Sequence, residues 1–155
     1  QVDMRELVDD VLAGMSQVFT EKGIEVVAHL PVRVAPVGAD LDRVIQVLLN
    51  LLSNAVKFCG PAHGRIEVTL ETAGDWVRVD VRDNGPGIAR SDQRVIFEKF
   101  RQAGDTLTDK PQGTGLGLPI SRQIVEYLGG RLWVESRLGG GACFSFTLPV
   151  SRHAA

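Results

Sequence analysis

Two neighbouring stretches with strict alternation of apolar and polar residues constrain the fold of this chain most strongly. Residues 65–71 (RIEVTLE) and 76–82 (WVRVDVR) place isoleucine, valine or leucine at every second position, and the residues between them are mostly charged. The intervening residues 72–75 (TAGD) predict a turn, so the two segments are expected to pair as an antiparallel hairpin. Such strands have one apolar face, whereas the strands of a doubly wound parallel sheet are apolar on both faces. The pattern therefore predicts a two-layer α/β sandwich with helices on one face of the sheet.

The rest of the chain supplies helices and further strands for such a sandwich. Hydrophobic periodicity and end signals predict helices at 3–21, 41–58, 91–100 and 116–130, and strands at 24–29, 32–35, 131–136 and 142–150. The helix at 41–58 has Asp40 as its N-cap and is apolar almost all round, so we expect it to be buried. The polar segment 101–115 has no apolar periodicity, and its length is typical of a functional or disordered loop.

Length and composition exclude several classes of protein. The 155 residues are enough for one domain with its own core, and because the sequence opens on Gln1 we expect 1–155 to be a single domain of a longer protein. A net charge of −2 gives no general attraction for nucleic acid or an anionic membrane. Two cysteines are too few for a disulfide framework and favour a reducing compartment. No apolar run approaches the ~20 residues that a membrane span needs.

Four polar residues interrupt the apolar surface of the helix at 41–58. Gln46, Asn50, Asn54 and Lys57 follow one another at helical spacing, so they form one polar stripe along the helix. Buried amide and ammonium groups are costly without partners. The stripe can face water, or its asparagines can hydrogen-bond neighbouring backbone. Alternatively, its amide oxygens can bind Mg²⁺ and its lysine can bind phosphate.

Two glycine-rich segments follow in the second half of the chain. DNGPGI at 83–88 comes directly after the strand at 76–82, where Asn-Gly by itself is typical of a hairpin turn. GTGLG at 113–117 leads into the helix at 116–130, and backbone N–H groups at a helix start can hold phosphate. No strand immediately precedes this second segment, so it does not fit a dinucleotide-binding fingerprint, and the chain has no GxxxxGK phosphate loop.

Together and in this order, the motifs resemble the nucleotide-binding domain shared by sensor histidine kinases and the ATPases of DNA gyrase, mismatch repair and heat-shock chaperones. The resemblance covers nearly the whole chain and is closest to the histidine kinase branch. Residues 43–58 resemble the asparagine box, 83–88 the first glycine box, 97–100 (FEKF) the phenylalanine box and 113–118 the second glycine box. The resemblance implies a mixed, largely antiparallel sheet with about three helices on one face and a long ATP lid.

The resemblance also implies which residues hold ATP and Mg²⁺. Asp83 matches the carboxylate that accepts a hydrogen bond from the adenine amino group, and Gly85 and Gly87, followed by Ile88, match the backbone that approaches the purine. The three residues given catalytic roles lie on the polar stripe: the Mg²⁺ ligand Asn54, Asn50 one turn earlier, and the phosphate-side cation Lys57.

The lid and its ends supply the remaining positions that the resemblance implies for ATP. They are the apolar anchors Phe97 and Phe100, and the hinge facing the phosphates, Gly113, Thr114, Gly115, Leu116, Gly117 and Leu118. In many relatives an arginine follows the phenylalanine box after an aromatic residue. Here Arg101 directly follows Phe100, so Lys99 and Lys110 are alternatives for the phosphate contact.

The activity implied is transfer of the γ-phosphoryl group of Mg·ATP to a histidine on a separate helical hairpin domain of the same kinase, and indirectly to a response regulator. None of the three histidines, His29, His63 and His153, is predicted on a helix with a following acid, so we expect no self-labelling. The hairpin domain carries the dimer contact in relatives, so we expect this chain to be a monomer and its parent a homodimer. We expect a cytoplasmic domain; whether the parent is anchored in the inner membrane stays open.

The sequence is compatible with three alternatives: a gyrase- or chaperone-type ATPase, a serine kinase of the anti-sigma-factor kind, and a nucleotide-binding or docking module without catalysis. The ATPases carry a glutamate one turn before the Mg²⁺-binding asparagine, where it activates water. This chain has Asn50 at that position, and an amide has no basicity, which argues against dedicated hydrolysis.

Overall fold

The computed structural model describes residues 1–59, 62–98 and 117–152. The described residues contain these elements in chain order: α1 (Met4–Gly14), α2 (Ser16–Glu21), β1 (Glu25–His29), α3 (Leu41–Phe58), β2 (Arg65–Ala73), β3 (Trp76–Asp83), the 3-10 helix η1 (Val95–Phe97), α4 (Gly117–Tyr127), β4 (Arg131–Ser136) and β5 (Ala142–Pro149). Among these residues, no helix has the length and hydropathy that a membrane span requires.

The strands form a mixed sheet in the order β1-β2-β3-β5-β4. β1 runs parallel to β2, and each of the other neighbouring pairs is antiparallel. The hairpin predicted from the alternation is present as β2 and β3, with Ile66 opposite Asp83 and Ala73 opposite Trp76 at its two ends. The prediction of a mixed, largely antiparallel sheet is therefore confirmed.

The hydrophobic core lies between one face of this sheet and the helices. The buried strand residues are those of the apolar positions in the alternating pattern, Ile66, Val68, Leu70, Val77, Val79 and Val81. The charged residues and threonine between them are half-buried or exposed. Leu7 of α1, Leu48 of α3 and Val125 of α4 belong to the same core. The helices thus cover the apolar face, as the two-layer prediction requires.

Helix α3 begins as predicted but is not buried all round. The Asp40 carboxylate accepts a hydrogen bond from the Asp42 N–H at 3.0 Å and caps the helix. One side of α3 is fully buried, yet Leu49 and Phe58 are 38% and 37% exposed. The expectation that α3 is buried holds for one side of the helix, because the sheet and the neighbouring helices cover only part of its circumference.

The strand predicted at 32–35 is absent from the sheet. Pro31 and Pro36 flank this segment and cannot donate backbone hydrogen bonds. The Ala35 N–H donates to the Thr72 side chain instead of to a strand. The nearest ladder contacts are isolated bridges of Val37 to residues near the two chain ends.

Two predicted helices are shorter than expected. The helix predicted at 3–21 is divided at Met15, directly after Gly14, which has a low helix propensity. The helix predicted at 91–100 is the 3-10 helix η1 over 95–97, preceded by turns, and residues 99 and 100 lie outside the described part of the chain. Helix α4 matches the prediction more closely, and Gly129 follows its end with φ 92°.

Candidate functional site

Asp83 lies at the carboxyl end of β3 and is only 5% exposed. Its carboxylate accepts a hydrogen bond from the Gly85 N–H at 2.9 Å. Burial raises the pKa of Asp83 above its ordinary value, and hydrogen bonds from the backbone of Gly85 and Ala142 oppose this shift without cancelling it. The strand pairing therefore holds one carboxyl group, largely shielded from solvent, at the base of the DNGPGI loop.

The glycines of this loop are required by close approaches of the backbone. A Cβ on Gly85 would lie 1.8 Å from the carbonyl oxygen of Phe58, at the end of α3. A Cβ on Gly87, whose φ is 79°, would lie 1.9 Å from the carbonyl oxygen of Arg137. The loop is thus packed between α3 and the β4–β5 turn. These contacts are with the protein itself, so the contact with a purine stays a prediction.

The DNGPGI loop is also tied to its surroundings by side chains. The Asn84 amide accepts from the Arg65 N–H at 2.9 Å and donates to the His63 carbonyl at 2.7 Å. At the other end of the loop, the Ile88 N–H donates to the Ser136 hydroxyl at 2.8 Å. Residues 83–88 are therefore fixed from both sides, towards β2 and towards β4.

The polar stripe of α3 lies beside the first turn of α4. The Asn50 Nδ2 donates to the Ser121 hydroxyl at 2.9 Å and to the Gly117 carbonyl at 3.3 Å. Ser121 is fully buried, so this contact joins the two helices in a shielded position. The sequence left open whether the asparagines of the stripe bond to backbone, water or a ligand. The amide nitrogen of Asn50 does bond to backbone, at Gly117. Gln46 accepts a hydrogen bond from Arg43 on the same helix.

Asn54 and Lys57 continue the stripe towards the DNGPGI loop. Asn54 is half-buried, and its side chain makes no hydrogen bond within the described part of the chain. Lys57 is exposed, and its Nζ lies 5.3 Å from the centre of the Phe58 ring. Partial loss of solvent around the ammonium group lowers the pKa of Lys57. Since the Phe58 carbonyl touches the loop at Gly85, this end of α3 lies next to the loop that begins at Asp83.

Phe97 joins η1 to the core and to α4. Its half-buried ring packs edge-on against Phe144 with 6.3 Å between the ring centres. The guanidinium of Arg122, on α4, lies 5.1 Å from the centre of the Phe97 ring. The position predicted as an apolar anchor is thus attached to β5 and α4.

Several predicted site residues fall outside the described part of the chain: Phe100, Arg101, Gly113, Thr114, Gly115 and Leu116, together with the alternatives Lys99 and Lys110. Gly117 and Leu118 begin α4, and Leu118 packs against the core. A Cβ on Gly117 would make only an ordinary contact, 3.8 Å from Asn50 Cγ. The described structure therefore gives no steric reason for glycine at 117.

The structure adds residues for which the sequence analysis gave no role. Asn84 lies inside the DNGPGI motif, and Gly141 lies in a run of three glycines, so a local sequence pattern marks both residues. A Cβ on Gly141, with φ 76°, would lie 2.1 Å from the carbonyl oxygen of Asp83. Ser121, Ser136 and Gln93 contact the site only through the tertiary fold, and no local pattern marks them.

The donors present are of the type that Mg²⁺ and phosphates require. Asn54 offers an amide oxygen that no described residue uses, and Lys57 offers a cation nearby. Among the described residues there is no group of three or more histidine, cysteine and carboxylate side chains able to hold a metal ion. A magnesium ion bound here could use the Asn54 amide oxygen as a ligand.

Comparison with known proteins agrees with the geometry. The model of the histidine kinase-, DNA gyrase B- and HSP90-like ATPase family matches residues 39–152. The adaptive-response sensory kinase SasA of a Synechocystis strain is 42% identical over 149 residues, which cover 95% of this chain. The match covers 38% of SasA, so the chain spans about two fifths of that curated relative.

Solved structures of histidine kinases share the fold. The nucleotide-free catalytic domain of histidine kinase ThkA superposes with a TM-score of 0.83 at 32% identity, covering 97% of this chain and 96% of that domain. ThkA has also been solved in complex with the response regulator protein TrrA, with a TM-score of 0.78 at 30% identity, over 97% of this chain and 41% of ThkA.

Full-length ShkA in complex with AMPPNP has a TM-score of 0.85 at 39% identity, over 99% of this chain and 31% of ShkA. Family model, relatives and solved structures thus agree on one assignment, which implies ATP binding. This chain belongs to the histidine kinase-, DNA gyrase B- and HSP90-like ATPase family, in its sensor histidine kinase branch.

Proposed function

We propose that this chain binds Mg·ATP between α3, the DNGPGI loop and the start of α4, and transfers the γ-phosphoryl group to a histidine on a separate helical hairpin domain of its parent protein. The observation that carries the proposal is the buried Asp83, held by the Gly85 N–H beside the end of α3. A shielded carboxylate at the base of a loop that backbone contacts hold in place suits the amino group of a flat adenine ring.

The residues have separate roles in this proposal. Asp83 accepts from the adenine amino group, while Asn54 holds Mg²⁺ and Lys57 faces the phosphates. Bound Mg²⁺ would neutralise charge on the phosphates. The remaining contribution of the protein is positioning, because phosphoryl transfer needs little covalent chemistry from the enzyme. The acceptor imidazole is itself the nucleophile, so this chain need not activate water.

Asn50 distinguishes this proposal from an ATP-hydrolysing alternative. An amide cannot act as a general base. In addition, its nitrogen is committed to Ser121 and Gly117 of α4, so the residue connects two helices. The serine kinase alternative shares the binding residues and differs only in the acceptor, and a module without catalysis would bind nucleotide and transfer nothing. The test must therefore identify the labelled amino acid.

The experiment incubates the purified chain with γ-labelled Mg·ATP, alone and with the parent's helical hairpin domain as a separate chain. We expect ATP binding by calorimetry, no label on the chain itself, and slow, acid-labile labelling of the added domain. The rate is expected to be low because tethering normally supplies a high effective concentration. Acid-stable label on serine would favour the serine kinase alternative, rapid phosphate release the ATPase one, and binding without any transfer the module without catalysis.

A further inference from the structure

Ser136, at the end of β4, connects two backbone segments through one hydroxyl. Its Oγ accepts the Ile88 N–H at 2.8 Å and donates to the Gly141 carbonyl at 2.7 Å. Ile88 ends the DNGPGI loop, and Gly141 ends the β4–β5 turn. The loop that starts at Asp83 is therefore fastened at its far end to β4 and to the turn that follows it.

Gln93 also binds the end of the DNGPGI loop, through the backbone carbonyl groups of Ile88 and Ser136. Its Nε2 donates to the Ile88 carbonyl and to the Ser136 carbonyl, at 3.0 Å each. Both backbone groups of Ile88 are thus bound, the N–H by Ser136 and the carbonyl by Gln93. The Pro86 carbonyl accepts a further hydrogen bond from the Gly139 N–H at 2.6 Å. Two neutral side chains and the β4–β5 turn together define where the loop ends.

We propose that Ser136 and Gln93 are positioning residues for adenine recognition, acting through Ile88 on the DNGPGI loop. The inference rests on the proposed function, because it assumes that Asp83 binds the adenine amino group. A carboxylate discriminates between purines only when its loop is held in one place, since a mobile loop can adapt to a different ring edge. Asn84 anchors the start of the loop, and Ser136 with Gln93 anchors the end.

The test compares binding of Mg·ATP and Mg·ITP, whose ring has a carbonyl where adenine has its amino group. Ser136→Ala removes the hydroxyl, and Gln93→Glu places an oxygen where the amide faces two carbonyl groups. Ser136→Thr keeps the hydroxyl, and Gln123→Glu adds the same charge at an exposed position on α4. Calorimetry gives both dissociation constants for each variant, and denaturant titration gives the free energy of unfolding.

We expect the preference for ATP over ITP to fall about threefold to tenfold in Ser136→Ala and in Gln93→Glu, and to persist in Ser136→Thr and Gln123→Glu. A merely structural role would lower the free energy of unfolding and leave this preference unchanged. If Ser136→Ala does not fold, the nucleotide preference of Gln93→Glu decides between a positioning role and a merely structural one.

Failure of this inference is distinguishable from failure of the proposed function. A wild-type chain that prefers ATP, with folded variants that prefer it equally, overturns the inference alone. A wild-type chain that binds neither nucleotide overturns both.

Discussion

At the scale of single residues, substitution of Asp83 is expected to have a large effect on ATP binding. Asp83→Asn keeps an oxygen that can accept the Gly85 N–H, so the loop should stay folded. The new amide can direct its donor at the adenine amino group, and a charge-assisted hydrogen bond is lost. Such a loss is worth about 1.5–3 kcal/mol, which corresponds to a roughly tenfold to hundredfold higher Kd for ATP.

Calorimetry on wild type, Asp83→Asn and Asp10→Asn measures this effect. Asp10 is exposed on α1 and carries the same charge, so its substitution controls for the change in net charge. An unchanged Kd in Asp83→Asn would remove the adenine assignment and with it the observation on which the proposed function depends.

Asn54 makes the complementary prediction for the phosphate end. Asn54→Ala should weaken Mg·ATP much more than adenosine, because adenosine has no phosphates for a metal ion to bridge. Ser53→Ala, on an exposed neighbouring position of α3, is the control. Titration of both ligands into the two variants measures the difference. Equal losses for adenosine and Mg·ATP would mean that Asn54 supports the fold and binds no metal ion.

At the scale of elements, the β4–β5 turn and the DNGPGI loop form one packed unit, and Gly87 tests it. Gly87 and Gly139 both have positive φ, 79° and 81°, but only a Cβ on Gly87 meets backbone, 1.9 Å from the Arg137 carbonyl. Gly139→Ala should cost about 1–2 kcal/mol of unfolding free energy from its conformation alone. Gly87→Ala should cost a further 1–3 kcal/mol or so from overpacking.

Denaturant titration of the two glycine variants separates these contributions. Equal losses of stability would show that the loop can move away from Arg137. The contact with the β4–β5 turn would then not fix the position of the loop in a binding site. A larger loss in Gly87→Ala supports a loop whose position is fixed by the turn.

Local sequence patterns predicted some of these elements correctly and failed for others. Alternation predicted β2 and β3 because each side chain alternates between core and solvent, and Asp40 predicted the start of α3 because a cap is a local interaction. The pattern at 32–35 also looks like a strand, but its flanking prolines remove donors, and none of the described strands pairs with it. Pairing is a tertiary property, which local periodicity does not contain.

At the scale of the whole molecule, the site is assembled from segments far apart in the chain. The polar stripe of α3 and the DNGPGI segment were recognisable because the first has helical spacing and the second is contiguous. The two meet where the Phe58 carbonyl contacts Gly85. Ser136, Gln93 and Ser121 were not predictable, because a serine or glutamine gains its role only from what the fold places opposite it.

The free energy of unfolding should respond to the buried carboxyl of Asp83. Burial raises its pKa, so the folded chain holds this proton at pH values where the unfolded chain has released it. Between the ordinary carboxyl pKa and the raised one, the folded state binds more protons, and this group's contribution to stability falls as pH rises. Stability from this source is fully present below the ordinary pKa and is lost above the raised one.

Asp83→Asn removes this titration while leaving every other group in place. Without nucleotide, the free energy of unfolding of Asp83→Asn minus that of wild type should therefore increase from acidic to neutral pH, and should be constant below the ordinary carboxyl pKa of about 3.9. Denaturant titrations of both proteins across that range measure the difference. If it decreases with rising pH, hydrogen bonds from Gly85 and Ala142 outweigh burial at Asp83, and the carboxylate is a group that the fold stabilises in its charged form.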